Sequence, residues 1–216
     1  ISSISIFNLF FSDWYIFFIA FHDKFTCFLK NRILITGALG QLGEFFVKSL
    51  IDSNNYVLAT DINENKILNC DFEHFDILDE KRGDILIKKY KINQIYNFAA
   101  ILSAKGEQNP LSTWEINNTG FTNIIKLSIK NKINRIFWPS SIAVFGRNSN
   151  LKLVNDDEPM LPETMYGVSK LACEKSMFYF NNKNLLDIRS IRFPGIVSNS
   201  KPGGGTTDYI VEMLYS

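Results

Sequence analysis

Histidine and cysteine are scarce in this chain: His22 and His74 are the two histidines among 216 residues, and Cys27, Cys70 and Cys173 the three cysteines. None has neighbours at the short spacings that zinc sites use, so no metal is expected. An odd number of widely separated cysteines argues against a disulfide framework and fits reduced thiols in a core. An excess of charge is lacking too: 23 Lys and Arg face 22 Asp and Glu, a formal net charge of +1. Neither nucleic acid nor an anionic surface is therefore an expected partner. No internal repeat or low-complexity linker is visible.

Nor is there an unbroken apolar run long enough to cross a bilayer. Residues 4–21, rich in Phe and Ile, come nearest, but Ser5, Asn8, Ser12 and Asp13 interrupt them. A span needs about 20 apolar residues, and an Asp at its middle costs roughly 2.5–3.5 kcal/mol on insertion scales. The segment lacks the basic start of a secretory signal and the Arg- and Ser-rich, acid-poor character of a mitochondrial presequence. Residues 1–30 are thus expected to be a leader outside the fold, without membrane contact through residues 4–21. No methionine opens the chain, which reads as a fragment or a gene-model translation.

From Lys30 onward strand and helix patterns alternate. Arg32 to Thr36 is a short apolar run of the kind a doubly buried parallel strand shows. It leads into Gly37, Ala38, Leu39, Gly40, Gln41, Leu42 and Gly43, and then into a helical pattern from Glu44 to Leu50. Strand, glycine turn and helix together set backbone N–H groups and a positive helix end against a pyrophosphate. The spacing, G-x-x-G-x-x-G, is one residue wider than G-x-G-x-x-G. A second apolar strand, Tyr56 to Thr60, ends in Asp61, eighteen residues after Gly43. An acidic side chain there accepts hydrogen bonds from the adenosine ribose and repels a 2′-phosphate, which favours NAD over NADP. Asp79 to Tyr90 reads as a helix, Gln94 to Ala100 as a strand, Leu111 to Ile129 as a helix and Arg135 to Pro139 as a strand. Pro162 is expected just before a further helix, since a proline at or near the first turn is tolerated, and Asp187 to Phe193 returns as a strand. This rhythm predicts an α/β fold, a Rossmann-type doubly wound parallel sheet with helices on both faces.

Tyr166 and Lys170 stand four residues apart, on one face of the helix after Pro162 and one turn from each other. A phenol has a pKa of about 10 and is a poor base at neutral pH. A fixed ammonium nearby favours the phenolate, so the pair makes a proton acceptor. Ser141, twenty-five residues upstream, is placed to hold a substrate hydroxyl in line.

Taken together, Gly37-x-x-Gly40-x-x-Gly43, Asp76 with Ile77, the run from Asn97 to Ala100, Ser140 with Ser141, and Tyr166-x-x-x-Lys170 resemble the extended short-chain dehydrogenase/reductases over residues 31–196. The runs from Ala99 to Glu107, from Pro139 to Gly146 and from Pro202 to Tyr209, with the run from Phe193 to Ile196, are similar to the NAD-dependent L-threonine 3-dehydrogenase branch of that family. The resemblance implies NAD held by residues 37–43 and by Asp61, Ile62, Asp76, Ile77, Phe98, Ala99, Ala100, Asn117, Tyr166, Lys170, Pro194 and Ile196. It implies Tyr166 as base, with Lys170 lowering its pKa and Ser141 positioning the hydroxyl. Ser103, Ser141, Tyr166, Thr206, Thr207 and Asp208 are the expected substrate contacts, with L-threonine as substrate and 2-amino-3-oxobutanoate as product. A nucleotide-sugar epimerase or dehydratase, or a non-catalytic dinucleotide-binding protein, stays open as an alternative.

The same resemblance divides the chain into an NAD-binding domain over residues 31–200 and the start of a substrate-binding region over residues 201–216. Family members continue well beyond Ser216, so weak or no activity is expected of the 216 residues alone. The full-length protein is expected to be a homodimer. Its expected compartment is the mitochondrion, with the cytoplasm as the alternative.

Overall fold

Ile33, Leu34 and Ile35 of strand β1 (Arg32–Thr36) are all fully buried, which an alternating strand achieves only when both faces of its sheet are covered. The computed structural model describes residues 31–64, 69–146 and 158–196. The leader (1–30) and the expected start of the substrate region (201–216) lie outside the described residues. After β1 come α1 (Gln41–Asp52), β2 (Tyr56–Asp61), β3 (Asp71–His74), α2 (Glu80–Lys89) and β4 (Gln94–Asn97). Then follow α3 (Ser103–Gln108), α4 (Pro110–Trp114), α5 (Gly120–Lys130), β5 (Arg135–Phe137), β6 (Ser140–Ser141), α6 (Met165–Asn182), β7 (Ile188–Arg189) and β8 (Arg192–Phe193). Among the described residues, six strands form one wholly parallel sheet in the order β3-β2-β1-β4-β5-β7. The order reverses between β1 and β4, and in such sheets ligands bind beyond the carboxyl ends of the strands at that switch point.

Alternation along each strand divides the core in two. Leu34, Leu58, Ile95 and Ile136 meet α2, α5 and α6 through Leu86, Phe121, Ile124, Leu127 and Met177. Ile33, Ile35, Val57, Ala59, Tyr96 and Phe137 face the other way, onto Phe46, Val47 and Leu50 of α1. Phe46 anchors that layer, its ring centre 4.8 Å from Phe98 and 5.6 Å from Phe137. The expected doubly wound sheet with helices on both faces is what these residues build.

Four expected elements differ in detail, the first being the strand expected from Gln94 to Ala100, which ends at Asn97. The stretch from Leu111 to Ile129 is helical, but a π-helical segment at Glu115–Thr119 widens it between α4 and α5. The run from Asp187 to Phe193 is two strands: β7 pairs with β5, whereas β8 pairs with β6 in a separate two-rung ladder. The expected strand at Arg135 to Pro139 ends at Phe137, because Pro139 has no N–H with which to continue pairing. On the other edge the contact persists, Trp138 N–H donating to Arg189 O and Ser140 N–H to Ile191 O. Pro162 lies just before α6, as expected. Thr164 is extended (φ −112°, ψ 150°) and caps the helix by accepting the Gly167 N–H at 3.0 Å, so helical geometry begins at Met165.

Candidate active site

The glycine turn after β1 is tight because the chain around it leaves room for nothing else. Gly37 has φ +64°, and a Cβ there would lie 2.7 Å from Ala99 N and 2.8 Å from Phe98 C. A Cβ on Gly43 would fall 2.2 Å from Gly37 O and 2.6 Å from Ala38 Cα, so this glycine lets α1 settle onto the turn. Gly40 differs: its backbone is extended, and the nearest atom to an added Cβ is Gly37 O at 3.4 Å. It precedes α1 without any side-chain cap, which leaves the positive end of the helix open to an anion. Gln41, at the first position of that helix, has a buried Nε2 without a hydrogen-bond partner. An open helix start, an unpaired buried donor and a close-packed glycine turn fit a pyrophosphate.

Asp61 ends β2 with its carboxylate nearly buried. Its Oδ2 accepts the Leu39 N–H at 3.1 Å, and its Oδ1 accepts both the backbone and side-chain N–H groups of Asn63 at 3.0 Å. The residue expected to meet a ribose therefore also holds the glycine turn in place. Ile62 beside it is exposed. Asp76 follows β3, exposed, its Oδ1 accepting the Leu78 N–H at 2.9 Å, while Ile77 is buried against Gly120. Ala38 is fully buried and Leu42 packs on the α1 core. We expect Asp61→Asn, which replaces one of the two carboxylate oxygens by a donor, to weaken NADH binding about 10- to 100-fold, as loss of a charge-assisted hydrogen bond does. Fluorescence titration with NADH and NADPH checks this; unchanged NADH affinity would remove Asp61 from the site.

Beyond β4, Phe98 N–H donates to Thr36 O at 3.0 Å and Ala99 N–H to Thr36 Oγ1 at 3.3 Å, which holds Phe98, Ala99 and Ala100 across from the glycine turn. Asn117 sits in the π-helical segment with both side-chain polar atoms engaged. Its Oδ1 takes the Ile101 N–H at 2.8 Å, and its Nδ2 reaches Ile101 O and Ser169 Oγ, each at 3.1 Å. It pins the 99–101 turn to α6, and π segments often occur at functional sites for such placements.

The three expected catalytic residues converge. Ser141 ends β6, its Oγ accepting the Ala143 N–H at 3.1 Å, and its hydroxyl is near enough to the Tyr166 phenol to favour the phenolate. Tyr166 lies in the first turn of α6. Lys170, one turn on, is buried, donates from Nζ to Pro139 O at 2.7 Å and stands 4.3 Å from the Trp138 ring centre. Burial pushes the Lys170 ammonium down to about 8, against the pull of Cys173 and Glu174. Burial also raises the Tyr166 phenol above its ordinary value, and Ser141 opposes that rise. The expected influence of Lys170 on Tyr166 is not among the causes that set this phenol's pKa, which are burial and Ser141. The Lys170 ammonium is turned to the Pro139 carbonyl and lies over the phenol ring, 5.5 Å from its centre, while Ser141 favours the phenolate.

Residues not singled out from the sequence complete the frame. Gly167 lets α6 approach the turn after β6, since a Cβ would sit 2.2 Å from Ala143 O; a glycine inside a helical pattern was its available signal. Glu107, at the end of α3, accepts the Met165 N–H at 2.8 Å and so ties the helix that begins at Ser103 to the start of α6. Thr164 was readable as a capping residue before a helix. Pro194 and Ile196 follow β8, beside the end of β6. Thr206, Thr207 and Asp208 lie outside the described residues. Among the described residues no group of three or more His, Cys, Asp or Glu could hold a metal ion.

Residues 33–214 match the model of the NAD dependent epimerase/dehydratase family. The chain is 42% identical over 194 residues to an uncharacterized epimerase/dehydratase of Staphylococcus saprophyticus, covering 86% of this chain and 60% of that protein. It is similar to the solved L-threonine dehydrogenase of Clostridium difficile, with a TM-score of 0.80 and 37% identity, over 86% of this chain and 60% of the other. A GalE-like L-threonine dehydrogenase from Cupriavidus necator, in its holo form, superposes with a TM-score of 0.82 and 34% identity, over 85% of this chain and 61% of the other. The chain therefore spans about three fifths of the length of these proteins.

Proposed function

Because this chain belongs to the NAD-dependent epimerase/dehydratase family, we propose that it is the cofactor-binding part of an enzyme that oxidises L-threonine at its 3-hydroxyl to 2-amino-3-oxobutanoate. The observation that carries the chemistry is the convergence of Ser141, at the end of β6, with Tyr166 and the buried Lys170 one turn along α6, whose Nζ donates to Pro139 O at 2.7 Å. NAD, when bound, supplies the acceptor for the hydride that leaves C3 of the substrate. Tyr166 takes the hydroxyl proton, and Ser141 donates to the oxygen on which charge develops as the C–O bond becomes a carbonyl. Lys170, held by Pro139 O and Trp138, fixes the far side of the phenol ring. Ser103 and, in the region after β8, Thr206 and Thr207 are proposed to take the substrate carboxylate and Asp208 its ammonium.

The choice of a free amino acid over a nucleotide sugar rests on similarity to solved L-threonine dehydrogenases at 34–37% identity and on the run from Ser103 to Glu107. A nucleotide-sugar epimerase is the second reading, favoured by the epimerase/dehydratase description of the staphylococcal relative. Incubation of the whole protein with NAD and L-threonine, and separately with NAD and a UDP-hexose, distinguishes them. NADH formed only with threonine is the expected result. Epimerised sugar without threonine oxidation would overturn the proposal, and silence with both substrates despite NAD binding would favour a binding protein.

A further inference from the structure

Glu174 lies four residues beyond Lys170, on the same face of α6; its charge pulls on the Lys170 ammonium, but it is assigned no contact with substrate or cofactor. Its carboxylate is nonetheless densely bonded. Oε1 accepts a short hydrogen bond from Ser140 Oγ and another from Arg192 Nε at 2.9 Å, while Oε2 accepts from Arg192 Nη2 at 2.9 Å. The side chain is only 15% exposed, so these bonds are poorly screened, and the two-pronged Arg–carboxylate geometry is directional as well as strong.

The register shows what is being held. β6 and β8 pair over two rungs only: Ser140 with Arg192, and Ser141 with Phe193. A ladder this short has little stability of its own. Glu174 grips both residues of the first rung by their side chains, and the second rung carries Ser141. Arg192 extends the grip to the segments on either side, its guanidinium 5.1 Å from the Phe145 ring centre and 3.1 Å from Met160 Sδ.

We propose that Glu174 is a positioning residue for Ser141: through Ser140 and Arg192 it locks the β6–β8 ladder onto α6 and thereby sets the Ser141 hydroxyl against Tyr166. The inference rests on the reading of Ser141 and Tyr166 as the proton-handling pair, and its test does not require the substrate to be right. Among the described residues, the charged and titratable groups around the pair include Lys170, Cys173 and Glu174 on α6, Glu107 from α3 and Arg192 from β8. Since Ser141 favours the phenolate, loss of Ser141 placement reads out as an upward move of the Tyr166 titration.

The experiment follows that titration by NMR in the whole protein labelled with 13Cζ-tyrosine, with Tyr166→Phe assigning the signal. Ser141→Ala should raise the midpoint, and Glu174→Ala should raise it by at least half as much. The double variant should move it no further than Ser141→Ala alone, the non-additivity of residues acting through one contact. Glu174→Gln, which keeps an acceptor for Ser140, should recover most of the wild-type value. If Glu174→Ala does not fold, Ser140→Ala and Arg192→Lys, which break the clamp from its other ends, should give shifts of the same sign. A Glu174 or clamp variant that leaves the midpoint unchanged while Ser141→Ala moves it would overturn the proposal, as would additive shifts in the double variant. Failure to oxidise L-threonine would sink the substrate assignment and leave this readout standing.

Discussion

Tyr166→Phe is expected to reduce threonine-dependent NADH formation by about 10²- to 10⁴-fold, the range for removing a positioned general base. NADH affinity should stay within about threefold of wild type. The substitution deletes one oxygen from a half-buried side chain whose ring centre lies 5.5 Å from Lys170 Nζ, so the ring and the helix it starts remain. The loss should therefore appear in kcat, with little change in KM for NAD, which marks an interaction made during the chemical step. The pH profile carries the sign. Burial holds the phenol above its ordinary value, so the wild-type rate climbs with pH on the alkaline side of neutrality as the phenolate fraction grows. That limb should vanish in the variant. Full activity in Tyr166→Phe would transfer the base to another group.

How much of this could be read beforehand depended on whether a feature is local. The run from Arg32 to Gly43 announces strand, turn and helix within a dozen residues, and each glycine that matters sits where its neighbours demand it. Asp61 was readable because it closes an apolar strand at the distance from the glycines that a ribose requires. Tyr166 and Lys170 declare themselves by one helical turn. The π-helical segment at Glu115–Thr119 was not readable, since a single wide turn shifts the apolar periodicity of Leu111 to Ile129 too little to notice. The division of Asp187 to Phe193 between two ladders was hidden for a related reason: the alternation runs on through Ser190, and only the pairing partners change. The influence of Lys170 on Tyr166 was read with the right charge but without geometry, and the geometry turns the ammonium to the Pro139 carbonyl. Glu174 and Arg192 are eighteen residues apart on different elements, so their contact exists only once α6 is laid across β6 and β8.

The glycine turn offers the sharpest separation of folding from binding, because its glycines are constrained by different things. Gly43→Ala should lower stability by about 2–3 kcal/mol, the upper part of the range for overpacking, and lower Tm by roughly 4–12 °C for a chain of this size. The added methyl would meet Gly37 O at 2.2 Å and Ala38 Cα at 2.6 Å. Both are backbone atoms, so relief requires α1 to move away from β1. Gly40→Ala should leave Tm within about 2–3 °C, since its φ of −80° and ψ of 169° suit alanine and the nearest atom is 3.4 Å from the new Cβ. What the methyl does occupy is the open approach to the start of α1. NAD affinity in Gly40→Ala should therefore fall by more than about tenfold, a loss of over ~1.4 kcal/mol of binding free energy, although the fold is intact. Thermal melts with and without saturating NAD measure both quantities, because ligand stabilisation grows with the ratio of its concentration to Kd. Gly40→Ala should keep its apo Tm and lose most of the NAD-induced rise, whereas Gly43→Ala should lose apo stability as well. Equal behaviour of the two variants would mean that the open side of Gly40 is not where the pyrophosphate lies.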